Sequence, residues 1–346
     1  MPVAALVNWS PPADWLRVTT LDAHTAGEPL RIVTGGFPAL EGDTILAKRR
    51  TLGERFDHLR RFLMWEPRGH ADMYGCVITP PVTPGADFGV LFLHNAGYST
   101  MCGHGIIAVV TVAVQTGLVR LLRPDQPIRI DTPAGTVTAY AVLDEGRLAG
   151  VRFHNVPSYV AGLDLVVAVA GLGDVRYDLA FGGAFYAFVD AASVGLRCST
   201  DNYQRLIGAG RAIKQAVAAT APPEHPEDPE LGFLYGTVFT GPPHAEGADV
   251  RNVCVFADGE VDRSPTGTSV SAQLALARAR GQLSAEGALV FESILGTRFS
   301  GRIVGETHVG PHPAVVPEIG GSAFVTGRHE FLLDPADAIG HGFLLR

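Results

Sequence analysis

The stretch M-C-G-H-G-I-I-A-V-V-T-V-A-V-Q-T-G at residues 101–117 decides the fold that we expect for this chain. It predicts a helix from Gly103 to about Gly117, because small and apolar residues follow one another without a strand-like alternation. The segment is apolar on nearly every face, which is typical of a helix enclosed by sheet. We therefore expect a central helix surrounded by strands, with Cys102 at its N-terminus.

A second helix start, about half the chain length later, is similar to the first. The residues Thr266-Gly267-Thr268-Ser269 open another run of small and apolar residues, which we expect to be helical at about 268–280. Two similar domains, each directing a helix N-terminus into a shared cleft, would explain this repetition. A chance match between two glycine-rich helix starts explains it equally well, so the spacing alone leaves both interpretations open.

The rest of the chain predicts many short strands joined by turns, since 41 Gly and 24 Pro are scattered along it. Further helices are predicted at about 53–64 and 201–218, and the apolar run at 163–173 is interpreted as buried core. Strands are predicted at 30–34, 89–94, 150–156, 184–190, 234–240, 250–257, 300–304 and 322–333, with a hairpin formed by 127–133 and 136–142.

A change near 155–165 divides the chain into halves of similar composition. We expect an N-terminal domain at residues 1–158 and a C-terminal domain at 159–330. The last strand, at about 331–346, is a candidate to return to the N-terminal domain. Two domains also agree with the length of 346 residues, which exceeds what a single core usually supports.

Charge and hydropathy exclude several classes of function. The formal net charge is −8 and there is no Lys/Arg-rich run, so binding to nucleic acid or to an anionic membrane is not expected. No apolar run reaches the roughly 18 residues of a membrane span. The N-terminal stretch 1–15 lacks the basic region and the long apolar run of a signal peptide, so we expect a cytoplasmic protein.

The four cysteines are far apart and form no C-x-x-C pair, which argues against a zinc site, an iron–sulfur cluster and a disulfide scaffold. They are Cys76, Cys102, Cys198 and Cys254. We expect reduced thiols. Cys254 lies in a strand-like run and is interpreted as a buried core thiol, while Cys76 and Cys198 are given no role.

Cys102 is the strongest candidate for a reactive group. A helix N-terminus presents unpaired amides and a partial positive charge, so we expect the pKa of this thiol to fall from roughly 8.5 towards physiological pH. The glycines at 103 and 105 would let a substrate carboxylate approach the backbone N–H groups. The alternative is a small buried thiol that only packs. The setting C-G-H-G at a helix start favours the base.

The second candidate element is D-R-S-P-T-G-T-S at residues 262–269. Its proline and glycine shape a tight turn, and Thr268 and Ser269 are candidates to cap the following helix, which would make an anion site. Asp262 is a candidate partner for a substrate ammonium. An ordinary capped turn in which Asp262 pairs with a neighbouring cation remains the alternative when this element is considered alone.

These motifs together resemble the proline racemase family, which has the diaminopimelate epimerase-like fold. The resemblance implies two similar α/β domains, each a curved, mostly antiparallel sheet around a central helix, with the active site in the cleft between them. It also implies that no metal or organic cofactor takes part. The matching stretches cover nearly the whole chain and are D-A-H-T-A-G-E-P (22–29), E-P-R-G-H-A-D-M-Y-G (66–75), M-C-G-H-G (101–105), G-G-A-F-Y-A (182–187) and D-R-S-P-T-G-T (262–268).

The resemblance also suggests roles for individual residues. In this family two cysteines face the Cα of the bound imino acid from opposite sides, and Cys102 matches the first of them. The second is replaced here by Thr266. The resemblance further implies that the substrate-binding positions are Gly103, His104, Asp262, Gly267 and Thr268.

The threonine at position 266 decides the expected activity. Racemisation needs an acid and a base on opposite faces of a planar carbanion, and a threonine hydroxyl is too weak an acid for that role. Dehydration needs only one proton removed from carbon and a hydroxyl on the next carbon. The pairing of Cys102 with Thr266 looks like that of trans-3-hydroxy-L-proline dehydratases, so we expect a lyase that acts on this small-molecule substrate.

Two other functions remain as alternatives for this chain. The nearest alternative is a proline racemase or 4-hydroxyproline 2-epimerase, and a non-catalytic imino-acid-binding protein is the alternative from another class. A homodimer is left open. His24 and Glu28 are interpreted as shaping a turn, and Arg68, His70 and Asp72 as a structural polar network, since no third ligand completes a metal site.

Overall fold

Two buried helices lie at the centres of the two halves of the molecule, and strands surround each of them. The computed structural model describes residues 9–345, so the first half of the N-terminal stretch, interpreted above as lacking a signal peptide, lies outside the described residues. The α-helices of the described part are α1 (Ile45–Met64), α2 (Gly103–Thr116), α3 (Tyr203–Thr220) and α4 (Gly267–Ala279).

The strands divide between the same two halves. In chain order, the first eight strands are β1 (Leu16–Thr25), β2 (Glu28–Gly35), β3 (Tyr74–Thr79), β4 (Phe88–His94), β5 (Tyr98–Ser99), β6 (Ile128–Thr132), β7 (Gly135–Asp144) and β8 (Arg147–His154). They are followed by β9 (Ser158–Val169), β10 (Gly173–Phe181), β11 (Phe185–Asp190), β12 (Leu234–Gly241), β13 (Val250–Phe256), β14 (Glu260–Val261), β15 (Ala288–Glu292), β16 (Arg298–Val309), β17 (His312–Gly321) and β18 (Ala323–Leu333).

Strand pairing wraps each half around its helix. In the first half the order is β18, β1, β2, β3, β4, β6, β7 and β8, and α2 packs against β1, β7, β8 and β18. In the second half β9 to β13, β15, β16 and β17 pair in turn, and β17 closes the ring on β9. Four pairs are parallel (β2–β3, β4–β6, β11–β12 and β13–β15) and the others antiparallel. The expected fold class is therefore confirmed.

The last two strands connect the halves. β17 belongs to the second ring, but its C-terminal end also pairs with β8, where Glu318 lies opposite His154. After Ser322 the chain continues as β18, which pairs with β1 along its length. This return begins earlier than residue 331, because β18 starts at Ala323. The division into domains near residue 158 remains a prediction.

The helix α2 forms where the sequence predicts it. Cys102 is its N-cap, and Gly117 ends it in a left-handed conformation with φ 76°, which glycine adopts without steric cost. Nearly every side chain from Ile106 to Ala113 is fully buried. The helix therefore has no solvent-facing side along this segment, in agreement with its apolar composition.

Two expectations about the periphery were wrong. The helix α1 starts at Ile45 rather than near 53, because the side chain of Thr44 accepts a hydrogen bond from the amide of Ala47 at 3.0 Å and caps it there. The run at 163–173 is not buried core: much of it lies in β9 and the following turn, and the side chain of Val166 is 60% exposed. Among the described residues, no helix has both the length and the apolar composition that a membrane crossing needs.

Candidate active site

The N-termini of α2 and α4 meet face to face at the boundary between the two halves. A Cβ built on Gly103 would lie 2.5 Å from the Cα of Gly267, and one built on Gly267 would lie 2.7 Å from the Cα of Gly103. Real Cβ atoms do not approach other carbons so closely, so only glycine permits this contact. Two helix starts, each with free amides and a partial positive charge, therefore converge on one point.

A narrow, nearly closed cavity lies at this meeting point. It is far smaller than an ordinary ligand pocket, so the two halves have to separate slightly before a substrate enters. All seven residues proposed from the sequence line it: Cys102, Gly103, His104, Asp262, Thr266, Gly267 and Thr268. The lining also includes five residues that the sequence did not suggest, namely Tyr74, Met101, Tyr186, Tyr235 and Phe256.

Cys102 is held at the helix start by its own side chain. Its backbone is extended (φ −148°, ψ 110°), and its Sγ accepts a hydrogen bond from the amide of Gly105 at 3.2 Å. The Nδ1 atom of His104 lies 3.2 Å from the same sulfur. The thiol therefore takes the place that a serine or aspartate oxygen takes at an ordinary N-cap, and it is only 5% exposed.

The expected lowering of the Cys102 pKa was wrong for the closed cavity. Burial raises the pKa of this thiol well above its ordinary value, and the hydrogen bond from Gly105 only partly opposes that rise. The negative charge of Asp262 raises the pKa further. Burial is the larger effect because the thiol is almost completely removed from water, and a charged thiolate loses its hydration there. A cation placed beside Asp262 would offset the charge of that carboxylate and so lower the pKa of Cys102 again.

Asp262 is the carboxylate of the cavity and lies close to His104. The distance from its Oδ2 to Nδ1 of His104 is 3.8 Å, and its Oδ1 accepts a hydrogen bond from the amide of Ser264 at 2.7 Å. Burial lowers the pKa of His104, although the charge of Asp262 acts in the opposite direction. A neutral imidazole beside a carboxylate leaves the cavity with a negative charge, which suits a cationic nitrogen.

Thr266 occupies the position on α4 that Cys102 occupies on α2, but its geometry differs. Its φ is 60° and its ψ is 94°, a region that β-branched residues rarely adopt. Its amide donates to the Oγ of Ser264 at 3.1 Å. Within residues 9–345 its buried Oγ1 has no hydrogen-bond partner. The cavity therefore faces a thiol on one side and a hydroxyl on the other.

The expectation that Thr268 and Ser269 cap α4 was wrong. Both lie inside the helix, so neither side chain reaches the free amides of the first turn. The Oγ1 of Thr268 bonds the hydroxyl of Tyr186 at 2.7 Å. The Oγ of Ser269 accepts from Asn252 at 3.1 Å, which ties α4 to β13. These hydroxyls hold the helix in place, and the amides of the first turn stay available to an anion.

Residues of the first half hold the loop before α4. The Oε2 of Glu28 accepts from the amide of Arg263 at 2.8 Å, and the guanidinium of Arg263 donates to the carbonyl of Asp72 at 2.6 Å. The hydroxyl of Tyr203 donates to the carboxylate of Asp72 at 2.9 Å. Burial raises the pKa of Glu28 well above its usual range. This network fixes the position of Asp262 relative to α2, which fits the structural interpretation of Glu28 and Asp72.

The remaining cysteines do not line the cavity, although the backbone carbonyl of Cys254 accepts a hydrogen bond from the amide of Asp262 at 3.2 Å. Cys76, Cys198 and Cys254 are free and buried. Cys254 is on β13, and burial raises the pKa of its thiol well above the ordinary value. In the described part of the chain, no three His, Cys, Asp or Glu side chains are grouped so that they would hold a metal ion.

Similar proteins share this architecture over almost the full chain. The profile of a family described as proline racemase matches residues 20–344. A solved structure of a hydroxyproline epimerase from Agrobacterium vitis with bound trans-4-hydroxy-L-proline superimposes with a TM-score of 0.89 at 33% identity, covering 95% of this chain and 96% of that one.

Curated relatives are closer in sequence. A trans-3-hydroxy-L-proline dehydratase of Burkholderia cenocepacia is 47% identical over 329 residues, which is 95% of this chain and 98% of the relative. A 3-hydroxyproline 2-epimerase of Burkholderia multivorans has the same identity over the same length and the same coverage. Both names describe reactions at a hydroxylated imino acid.

Proposed function

The chain belongs to the proline racemase family, and we propose that it is a hydro-lyase that converts trans-3-hydroxy-L-proline into Δ1-pyrroline-2-carboxylate. The observation that carries this proposal is the difference between the two helix starts: Cys102 faces the cavity from α2, and Thr266 faces it from α4. The relative named as a dehydratase supports the same activity. Dehydration needs only one group that removes a proton from carbon, so a single thiol in the cavity is sufficient for it.

Substrate binding follows from the charges around the cavity. The substrate carboxylate lies between the two helix N-termini, where the amides at Gly103, His104, Gly267 and Thr268 are directed. The cationic ring nitrogen lies beside Asp262, the carboxylate of the cavity. Its positive charge offsets the effect by which Asp262 raises the pKa of the Cys102 thiol. Binding of the substrate therefore favours formation of the base that attacks it.

The chemistry starts with removal of the C2 proton by the Cys102 thiolate. The electron pair left on C2 is delocalised into the carboxylate, whose growing negative charge is stabilised by the two helix starts. The C3–O bond then breaks and a C2=C3 double bond forms. The resulting enamine tautomerises to Δ1-pyrroline-2-carboxylate. Thr266 contributes a hydroxyl that contacts the substrate from the opposite face and exchanges no proton with C2.

A 2-epimerase is the second candidate function, because a relative of equal identity is named as a 3-hydroxyproline 2-epimerase. It would require a proton donor on the Thr266 face, and the cavity lining holds no second thiol there. A non-catalytic imino-acid-binding protein would need the amides and Asp262 but no thiol at position 102. The cytoplasmic location, the independence from metals and cofactors, and the homodimer that was left open remain predictions.

Proton NMR in D2O tests the proposal. Purified protein is incubated with trans-3-hydroxy-L-proline, and parallel samples contain trans-4-hydroxy-L-proline and L-proline. We expect only the 3-hydroxy compound to be consumed, with Δ1-pyrroline-2-carboxylate as the product. Inversion at C2 of any substrate, without loss of its hydroxyl, would instead identify an epimerase. Saturable binding without any chemical change would identify the binding protein.

A further inference from the structure

Loss of the C3 hydroxyl requires a proton donor, and the stereochemistry of the substrate restricts where that donor lies. In trans-3-hydroxy-L-proline the hydroxyl is trans to the carboxylate, so it lies on the same ring face as the C2 hydrogen. Cys102 removes that hydrogen, so the donor has to reach the ring from the Cys102 side of the cavity. Groups on the α4 side, Thr266 among them, face the opposite side of the ring.

Tyr74 is the hydroxyl of the cavity lining on that side. It is the first residue of β3, in the first half of the molecule, and it is almost completely buried. Its ring lies edge-on to the imidazole of His104, with 4.8 Å between the ring centroids. Tyr74 and Cys102 line the same cavity. Because Tyr74 contacts His104 and Ser99, which lie on either side of Cys102 in the chain, its hydroxyl belongs to the Cys102 side of the cavity.

A hydrogen-bond chain orients the Tyr74 hydroxyl. Its oxygen bonds the Oγ of Ser99, which lies three residues before Cys102, and it is 3.5 Å from the hydroxyl of Tyr235. Burial raises the pKa of Tyr74 well above its ordinary value, so the phenol carries its proton. Tyr74 also lowers the pKa of the Cys102 thiol. The protonated phenol and the base are thus coupled electrostatically.

We propose that Tyr74 is the catalytic acid that protonates the leaving C3 hydroxyl, and this inference rests on the dehydratase function proposed above. The Cys102 thiolate forms an S–H bond with the C2 proton, and the C2–H electron pair becomes the C2=C3 bond. The C3–O pair leaves with oxygen, which takes the proton of Tyr74 and departs as water. The phenolate of Tyr74 then recovers a proton from the Cys102 thiol, which restores both groups.

Other groups near the sulfur fit this role less well. Burial lowers the pKa of His104, so its imidazole is neutral and a poor acid. Tyr186 hydrogen-bonds Thr268 on α4 and so belongs to the opposite side. Tyr235 lies on β12 in the second half of the molecule, and its hydroxyl is 3.5 Å from that of Tyr74. Direct proton donation by the newly formed Cys102 thiol is the remaining competitor, and it requires no tyrosine.

A substrate with a different leaving group distinguishes the Tyr74 phenol from the Cys102 thiol as the proton donor. We compare wild type and Tyr74→Phe on trans-3-hydroxy-L-proline and on its analogue with fluorine in place of the C3 hydroxyl. Fluoride leaves without taking a proton, so its loss does not need a general acid. For Tyr74→Phe we expect kcat for the hydroxy substrate to fall by about 10²-fold to 10³-fold, in the range of general acid catalysis. Fluoride release, measured with an ion-selective electrode, falls far less.

Tyr186→Phe is the matched control, since it removes a phenol from the other side of the same cavity. Any loss it causes affects both substrates equally, because it acts on binding. Ser99→Ala provides a second test that leaves the Tyr74 ring in place. We expect it to slow the hydroxy substrate selectively, by less than Tyr74→Phe does, because it only disorients the donor.

Three outcomes overturn the inference. Equal losses on the two substrates in Tyr74→Phe would mean that the phenol acts on proton removal or on binding. An unchanged rate on the hydroxy substrate would assign the donation to the Cys102 thiol. A wild-type protein that eliminates neither water nor fluoride would instead overturn the dehydratase function itself, which separates failure of the proposed function from failure of the role of Tyr74.

Discussion

The starts of α2 and α4 occupy equivalent places in the two halves and differ in both chemistry and backbone conformation. At the start of α2, Cys102 is extended and its sulfur accepts a hydrogen bond from its own helix. At the start of α4, Thr266 has a φ of 60° and its side chain makes no capping bond. Both residues are nearly buried and line the same cavity.

Of the two residues, Cys102 is the base, whereas Thr266 provides a hydroxyl and has an unfavourable backbone conformation. A side chain that caps its helix stabilises the helix as well as acting in the cavity. Thr266 contributes no such stabilisation, and its positive φ costs of the order of 1–3 kcal/mol for a residue of this type. Residues are kept in such conformations mainly where function requires them, so the strained side of the cavity is as informative as the reactive side.

Removing the thiol should have the largest effect. For Cys102→Ser we expect kcat for dehydration to fall by about 10³-fold, within the range for loss of a general base. The measurement is product formation by NMR. Cys198→Ser is the control, because this thiol is remote from the cavity and donates to the carbonyl of Phe239 at 3.4 Å, which a serine hydroxyl also does. A near-wild-type rate of dehydration by Cys102→Ser would show that Cys102 is not the base.

Removing the negative charge of Asp262, on the α4 side, should have the second largest effect. For Asp262→Asn we expect KM to rise by about 10-fold to 100-fold, the value of a hydrogen bond to a charged group. The amide oxygen of asparagine can still accept from Ser264, so the turn before α4 is retained. Initial rates over a range of substrate concentrations give the result. An unchanged KM would mean that the ring nitrogen binds elsewhere.

The dependence of kcat/KM on pH in the same variant tests whether Asp262 affects the pKa of Cys102. Because burial and the charge of Asp262 raise the pKa of Cys102, kcat/KM of the wild type rises with pH as the thiolate forms. Asp262→Asn removes one cause of that rise, so its profile moves to lower pH. Asp249→Asn is the control, since this carboxylate is exposed and accepts from Val290 away from the cavity. A shift towards higher pH in Asp262→Asn would contradict the electrostatic coupling.

Making the two helix starts alike tests the comparison directly. For Thr266→Cys we expect inversion at C2 of hydroxyproline to appear, because a second thiol can return a proton to the opposite face. Dehydration stays within about tenfold of wild type, since at most one hydrogen bond changes. Chiral chromatography detects the epimer. Thr266→Ser, which keeps a hydroxyl, forms none. A Thr266→Cys protein that also forms none would show that position 266 does not face C2.

Glycine substitutions give the smallest effects, with opposite signs at the two helix starts. Thr266→Gly relieves a positive φ and removes a buried unpaired hydroxyl, so the free energy of unfolding rises by about 1 kcal/mol. Cys102→Gly relieves no strain and loses a cap, so the free energy of unfolding falls by about 1 kcal/mol. Urea denaturation measures both changes. Equal signs at the two positions would mean that the backbone difference carries no energetic consequence.

The two helix starts could be predicted from the sequence because each is local. The residues from 101 to 105 and from 262 to 268 form continuous motifs, and their apolar continuations predict buried helices. The conformation of Thr266 could not be predicted, because nothing in its neighbours requires a positive φ. Its geometry is set by its hydrogen bond to Ser264 and by the contact of Arg263, in the same loop, with Glu28 of the first half.

The tyrosines of the cavity could not be predicted in the same way. Tyr74, Tyr186 and Tyr235 lie on three separate strands, and only the strand pairing and the contact between the halves bring them together. In the sequence each is one aromatic residue in a strand, and packing explains it fully. Tyr74 had one accessible signal, its place in the motif at 66–75, but no spacing rule connects it with Cys102.

The pairing of β18 with β1 has a consequence for synthesis on the ribosome. β1 ends at Thr25, but its partner starts only at Ala323. At about 5–20 residues per second, the outer edge of β1 waits roughly 15 to 60 s for that partner. An unpaired strand edge is a template for association between chains, so nascent chains that stall before this point are exposed to aggregation. The half of the molecule that is made first is thus the last to be completed.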